Sequence, residues 1–446
     1  MSRVDGTIRE LSDAGVAGLT IAWADNNGIP RSRTVPIAAL HDVARTGVGV
    51  TPLFAVFDSS DAITFAHPGL ATPSGDVRLV PDPLRITRLA GQPALAWTPG
   101  TIVTADGEPW PYDPRSALQR QVAALAEAGL TVRAGYELEF GVYLDEEMTP
   151  AHHGPAYGPA ALTEIDAFVG DVLHDFRANG LRIGQLHAEY GPAQVEVALG
   201  AADPVTAADE QLLARQTLRA AARKHGLCLS FAPLPSQASA GNGWHLHTSL
   251  WRGEHNLLAG GPEGPGTDGA AYVAGILRDL LAVAAVSAPS LGSTARLRPG
   301  FFAGAYAFWG VENREAPLRY VPGSALLGED HANLELKTSD ASGNPYLALA
   351  AVLAAGAAGV AEGLVPPPPV AEDPGTWSDT ERAASGIVAL PTTQAGQEEA
   401  LLASSRVTAA LGHDLLGAFL AVRRSDAAAA EGKDLDDVLS GLRWRY

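Results

Sequence analysis

The stretch Tyr136-Glu-Leu-Glu-Phe140 alternates strictly between apolar and acidic side chains. As a strand it turns Tyr136, Leu138 and Phe140 to one face, and Glu137 and Glu139 to the other. Three further segments follow the same rule. In His187-Ala-Glu-Tyr-Gly-Pro-Ala-Gln-Val-Glu196 a Gly-Pro corner joins two extended stretches. That arrangement brings Glu189, Gln194 and Glu196 within reach of one spot, with Val195 and Val197 facing away. In Gly241–Leu250 the residues His245, His247 and Ser249 share a face, and in Asn333-Leu-Glu-Leu-Lys337 so do Glu335 and Lys337. A solvated strand face would account for any one segment alone. Together they supply five glutamates and two histidines against a single lysine, whereas solvent faces are usually mixed in charge. Carboxylates aimed at one place repel each other unless a cation sits among them. A carboxylate-rich set with one imidazole suits Mg2+ or Mn2+ better than zinc or copper. Five carboxylates exceed the needs of one ion, so two or more ions are expected.

The rest of the chain places these strands. At 446 residues, two domains are the default. Val4–Ala14 reads as a helix, and Gly18–Trp23, Pro52–Phe57, Asp76–Val80, Pro93–Trp97 and Thr101–Thr104 as strands, with Asp25–Gly28 as a hairpin turn. Residues 1–108 thus form a small strand-rich domain, ending at the breaker Pro109-Trp-Pro-Tyr-Asp-Pro114. Residues 109–446 follow. They hold helices starting at Ser116 and over Ala160–Ala178, Asp203–His225, Thr267–Ala288 and Pro345–Gly363, with a strand over Thr131–Leu144. Mixed runs of strands and helices favour an α+β fold. A net charge of −19 argues against a nucleic-acid partner. One cysteine, Cys228, excludes an internal disulfide and a cysteine-metal cluster, and reads as a small core residue. No signal-like apolar segment opens the sequence, and Leu347–Ala361 is too short to span a bilayer. A cytoplasmic protein without membrane contact is expected.

Arg296, Arg298, Arg314 and Arg319 lie in one short window. Arginines beside a divalent-metal site suit phosphate or carboxylate ligands. No Walker A sequence, Gly-x-Ser-x-Gly elbow or His-Glu-x-x-His occurs. The Gly-x-Gly-x-x-Gly over Gly264–Gly269 has no strand before it. A nucleotide would therefore be held by metals and arginines.

The motifs named so far, with Asp113-Pro-Arg-Ser116, Glu312-Asn-Arg314 and Asn344-Pro-Tyr-Leu347, resemble in order and spacing the glutamine synthetase family over nearly the whole chain. The resemblance implies an N-terminal β-grasp domain followed by a catalytic domain built on a curved antiparallel sheet with helices. It implies a homo-oligomer, a dodecamer of two hexameric rings, with each active site between one subunit's catalytic domain and its neighbour's β-grasp. By the same resemblance, Glu139, Glu189 and Glu196 would hold one metal, and Glu137, His245 and Glu335 another on the ATP phosphates. His247, Ser249 and Arg314 would serve ATP, Arg296 and Gly241 the amino-acid substrate, and Arg319 the transferring phosphoryl group. The implied reaction phosphorylates the side-chain carboxylate of glutamate with ATP, after which an amine displaces phosphate to give an amide.

Three positions depart from glutamine synthetases proper. Phe302 stands where the family has a flap glutamate that handles ammonium. Ala240 replaces an asparagine that contacts glutamate. Lys337 replaces a substrate-gripping arginine, keeping the charge but not the bidentate fork. Asp58 and Asp61 are both candidates for the acid on the amine side. The pattern is similar to the branch that joins glutamate to organic amines: ethanolamine, alkylamines, anilines or polyamines. Phe302 favours small or apolar amines over polyamines, because a polycation prefers carboxylates. The alternatives are a glutamine synthetase using ammonia, a ligase for another carboxylate, and a non-catalytic assembly or regulatory protein on the same scaffold. Trp244 is expected to pack beneath the histidine strand. The terminal Arg443-Trp-Arg-Tyr446 is a candidate for docking at a ring interface.

Overall fold

The computed structural model describes residues 3–446. Two sheets organise the chain, and the α+β class holds. The first sheet is built in the spatial order Pro30–Pro36, Gly18–Ala24, Leu95–Val103, Val77–Pro81, Val48–Val50. Its central pair, Gly18–Ala24 on Leu95–Val103, runs parallel, and a hairpin joins Gly18–Ala24 to Pro30–Pro36. This order fits a β-grasp. Leu19, Ile21, Leu40 and Leu79 are buried in its core.

The second sheet has nine strands. Its main path is Trp309–Val311, Leu318–Val321, Asn333–Leu336, Leu246–Arg252, Thr131–Tyr143, Gln194–Leu199, Ile183–Ala188. The four segments singled out from their alternation are therefore neighbours in one sheet. Their apolar faces explain why: Tyr136, Leu138, Phe140, Val195, Val197, Leu246, Leu334 and Leu336 are all buried in one core with the helices behind. Fully burying each such aliphatic or aromatic side chain contributes on the order of 2 kcal/mol.

Helix Pro345–Glu362 runs through that core. It is long and apolar enough by composition to cross a membrane, but most of it is buried against helices Thr267–Arg278 and Pro114–Glu127. The crossing with Thr267–Arg278 depends on Gly275 and Gly359. A Cβ on Gly275 would stand 2.8 Å from the Gly359 Cα, so the backbones meet without side chains between them.

Several local expectations change. Pro52–Val56 is a 3-10 helix rather than a strand, because Pro52 opens it and the Thr51 hydroxyl accepts from the Leu53 N–H. The two strands expected over residues 93–104 are one, Leu95–Val103. It tolerates Pro99 because the pairing with Gly18–Ala24 ends there and the pairing with Val77–Pro81 takes over beyond it. The helix expected over 160–178 breaks at Ile165, and the one over 267–288 bends by 70° at Asp279. The Asp279 carboxylate accepts from Arg406 and Ser404 across that break.

Candidate active site

Strand register sets the site. Glu139 lies opposite Glu196, His187 opposite Glu196 on the other side, and His247 opposite Glu335. Arg319 lies opposite Glu335 in turn. Glu137, His245 and Glu335 offer ligand atoms that all lie within 4.8 Å of one another. His245 Nδ1 is 3.2 Å from both Glu137 and Glu335, and its Nε2 is 3.5 Å from Glu139. A second group of the same compactness is His187, Glu189 and Glu196.

Glu139 stands between the two groups. Its carboxylate accepts from the Gly243 N–H at 2.7 Å and from Gln194 Nε2 at 3.2 Å. Gln194 is saturated: Nε2 also donates to the Gly241 carbonyl and to Asn242 Oδ1, and Oε1 accepts from the Gly191 N–H. Trp244 is fully buried under this face, donating from its indole to the Glu139 carbonyl. On its other side lies the Arg215 guanidinium, 4.3 Å from the ring.

The electrostatics describe a cluster short of positive charge. Burial pushes the Glu196 carboxyl up to about 9, and the charges of Glu137, Glu139 and Glu189 add to the effect. Burial also raises Glu139. Glu137 and Glu335 go the other way. Burial opposes ionisation there, but His245 and His247 hold Glu137 well below the usual range, and Lys337 with both histidines brings Glu335 down to about 2. Buried Glu189 Oε2 and His187 Nδ1 have no hydrogen-bond partner among the described residues. Crowded oxygens, orphaned donor atoms and a raised carboxyl together fit hard divalent cations, which would satisfy all three at once.

The cationic side is equally explicit. Arg319 Nη1 donates to Glu335 at 3.1 Å, and Nη2 reaches Glu312. Lys337 is buried with Nζ 2.9 Å from Glu335. Arg296 is buried against the Thr338 and Ser339 carbonyls and lies 3.5 Å from Asp340. Gly241 packs directly on it: a Cβ there would stand 2.5 Å from the Arg296 Cγ. His247 Nδ1 meets Asn333 Oδ1 at 2.9 Å, and its Nε2 lies 3.5 Å from Glu137. Ser249 Oγ accepts from the Trp251 indole, and Arg314 is exposed. Phe302 is 58% exposed with φ +51°, on a flap that also carries Phe301 under the Arg298 guanidinium.

Asp58 and Asp61 are not brought to the cluster. Asp58 is buried, accepting from the Ser60 and Ala62 N–H groups and from Ser425. Asp61 pairs with Arg31 and Arg445. The terminal residues dock on their own chain: Tyr446 is buried, the Arg443 carbonyl accepts from Ser230, and Trp444 sits edge-on to Tyr143.

Two residues at the cluster were not singled out from the sequence. His187 could have been, since it alternates with Glu189 as Gln194 does with Glu196. Tyr157 gives no such signal. It sits in a loop at φ +58°, stacks on His187, and donates its hydroxyl to Glu189 at 3.0 Å.

Known proteins resemble the chain over most of its length. Residues 111–436 match the family model described as glutamine synthetase, catalytic domain. The chain is 42% identical to the gamma-glutamylpolyamine synthetase GlnA3 of Streptomyces coelicolor, over 98% of this chain and 95% of that one. It is 31% identical to the glutamine synthetase of Pyrococcus horikoshii, over 83% and 80%. A crystal structure of a novel glutamine synthase homolog superposes with a TM-score of 0.86 at 32% identity, covering 97% of this chain and 99% of that one. A GmaS/ADP complex superposes with a TM-score of 0.84 at 25% identity, covering 98% of each.

Proposed function

This chain belongs to the glutamine synthetase family, and from that premise we propose that it is an ATP-dependent ligase joining the γ-carboxylate of glutamate to an organic amine. The single observation that carries the reading is the pairing of an intact acidic cluster with an altered amine side: five glutamates and His245 converge, while Phe302 occupies the flap. The 42% identity with a gamma-glutamylpolyamine synthetase supports an organic amine over ammonia.

In the first step a γ-carboxylate oxygen of glutamate attacks the γ-phosphorus of ATP and ADP leaves. In the second the amine nitrogen attacks the acyl carbon, phosphate leaves, and the nitrogen loses a proton. Divalent ions, Mg2+ or Mn2+, would be held by Glu137, His245 and Glu335 and by Glu139, Glu189 and Glu196, with His187 beside them. They supply charge stabilisation to the phosphates. Arg319 would face the transferring phosphoryl group, anchored by Glu335 and Glu312 so that its remaining N–H groups are oriented in advance. Arg296 and Gly241 would form the floor for the amino acid, with Lys337 supplying a second positive charge. His247, Ser249 and Arg314 would contact ATP. Tyr157 would hold Glu189 in its orientation through the hydroxyl hydrogen bond.

Asp58 and Asp61 remain the candidates for the acid on the amine side, and in a ring they would act across a subunit boundary. The division into residues 1–108 and 109–446 is supported by a hydrophobic cluster whose buried residues all come from the first part except Trp110 and Ala418. A cytoplasmic dodecamer of two hexameric rings completes the reading.

The test is phosphate release from Mg-ATP with glutamate, with and without a panel of amines, and mass spectrometry of the product. We expect release that depends on the amine, and a γ-glutamyl amide. Turnover with ammonia equal to that with every amine would sink the organic-amine reading, and no release at all would favour a non-catalytic protein.

A further inference from the structure

The flap carries no carboxylate of its own, yet a carboxylate lies beneath it. The flap residues pack on two other segments. A Cβ on Gly304 would stand 2.7 Å from Pro317, and one on Gly375 would stand 3.3 Å from Pro299. Glu315 precedes Pro317 by two residues, and Asp373 precedes Gly375 by two. The Phe302 N–H faces the Glu315 carboxylate, which is half-buried. The same loop reaches the cluster on its other side, where the Lys337 N–H donates to the Pro317 carbonyl at 2.9 Å. Lys337 acts on both Glu315 and Glu196 through its charge.

Glu315 has no cation of its own. Among the described residues no lysine, arginine or histidine nitrogen lies within 4.0 Å of it, and the Lys337 ammonium is committed to Glu335. Asp373 is a like charge nearby, with one oxygen taken by the Gly375 N–H at 2.7 Å. Burial and Asp373 both raise the Glu315 carboxyl. A half-buried carboxylate without an ion pair of its own, beside the flap under which the amine must enter, gains most from a ligand that brings a cation with it.

We propose that Glu315 is the specificity-determining residue of the amine site, selecting an amine that carries a second positive charge. The reacting nitrogen goes to the acyl carbon, the methylene chain lies against the Phe302 ring, and the distal ammonium is held by Glu315. This rests on the ligase reading, and it removes the objection that Phe302 offers a polycation nothing. Phe302 supplies the apolar wall, and the charge comes from the loop below.

The experiment compares 1,4-diaminobutane with n-butylamine, equal in carbon number and different by one charge. Wild-type protein should show the higher kcat/KM with the diamine. Glu315→Gln should lower the diamine value by about tenfold or more, the scale of one charged hydrogen bond, and leave butylamine within about threefold. Glu315→Asp, keeping the charge, should retain part of the preference. Equal losses on both amines, or an unchanged ratio, would overturn the assignment, as would a wild-type preference for butylamine. Calorimetric titration of the Mg-ADP-loaded protein with each amine reads the same preference without turnover. If wild-type protein turns over neither amine the ligase reading falls, and the titration alone then decides Glu315: tighter diamine binding lost in Glu315→Gln supports it, and equal binding overturns it.

Discussion

Glu196 shows what a metal-dependent site costs the protein that carries it. Its carboxyl is buried beside three others, and burial first, with their repulsion added, lifts it to about 9. A neutral isostere removes both penalties. Glu196→Gln should therefore raise the melting temperature of metal-free protein at pH 8. It should also reduce the further rise that Mn2+ gives wild-type protein, where a ligand at a hundred times its dissociation constant adds about 2.7 kcal/mol. Thermal melts with and without EDTA read both effects, and a variant less stable than wild type in EDTA would contradict the account. Most of the cluster was legible from alternation alone, because side chains two apart on a strand cannot avoid sharing a face. Tyr157 was not. It reaches Glu189 from a separate loop, and nothing local in that loop marks it. Glu315 escaped for a related reason: only the packing of the flap gives it a neighbour.

Elements were legible where one force set them and misread where two competed. Thr131–Tyr143 is a strand whichever way it is argued. Pro52–Val56 has strand-forming side chains, but a proline and a threonine cap decide for a helical turn. Helix Pro114–Glu127 shows a cap under stress. Asp113 accepts from the Ser116 N–H and hydroxyl while wholly buried. Burial pushes its carboxyl up to about 6, against those hydrogen bonds and the charge of Arg115. Because the folded value lies above the unfolded value near 3.8, the folded state holds the proton more tightly. The stability this confers is complete below the unfolded value and is lost as pH rises through about 6. Asn caps equally well and does not titrate. The melting temperature of Asp113→Asn relative to wild type should thus be higher at pH 7 than at pH 4. A difference that does not move with pH would rule this out.

At the scale of the whole molecule, the α+β class and the four strands that face the site could be read from the sequence, but the order of those strands in the sheet and the assembly could not. Asp58 and Asp61 find partners in their own chain away from the cluster, so either could serve the amine side only at a neighbouring subunit's cluster. Light scattering should give a mass twelve times that of one chain, and a monomeric, active enzyme would refute the ring reading. One contact within the chain matters as much. The Asp25–Gly28 tip of the first sheet is buried in the second unit, where Arg215 donates to the Gly28 carbonyl and Asn344 to those of Ala24 and Asp25. Arg215 in turn lies on Trp244, which holds the Glu139 strand. Deleting the first hundred residues would not yield a trimmed catalyst: it would unplug a socket whose far wall is the floor of the reaction chamber.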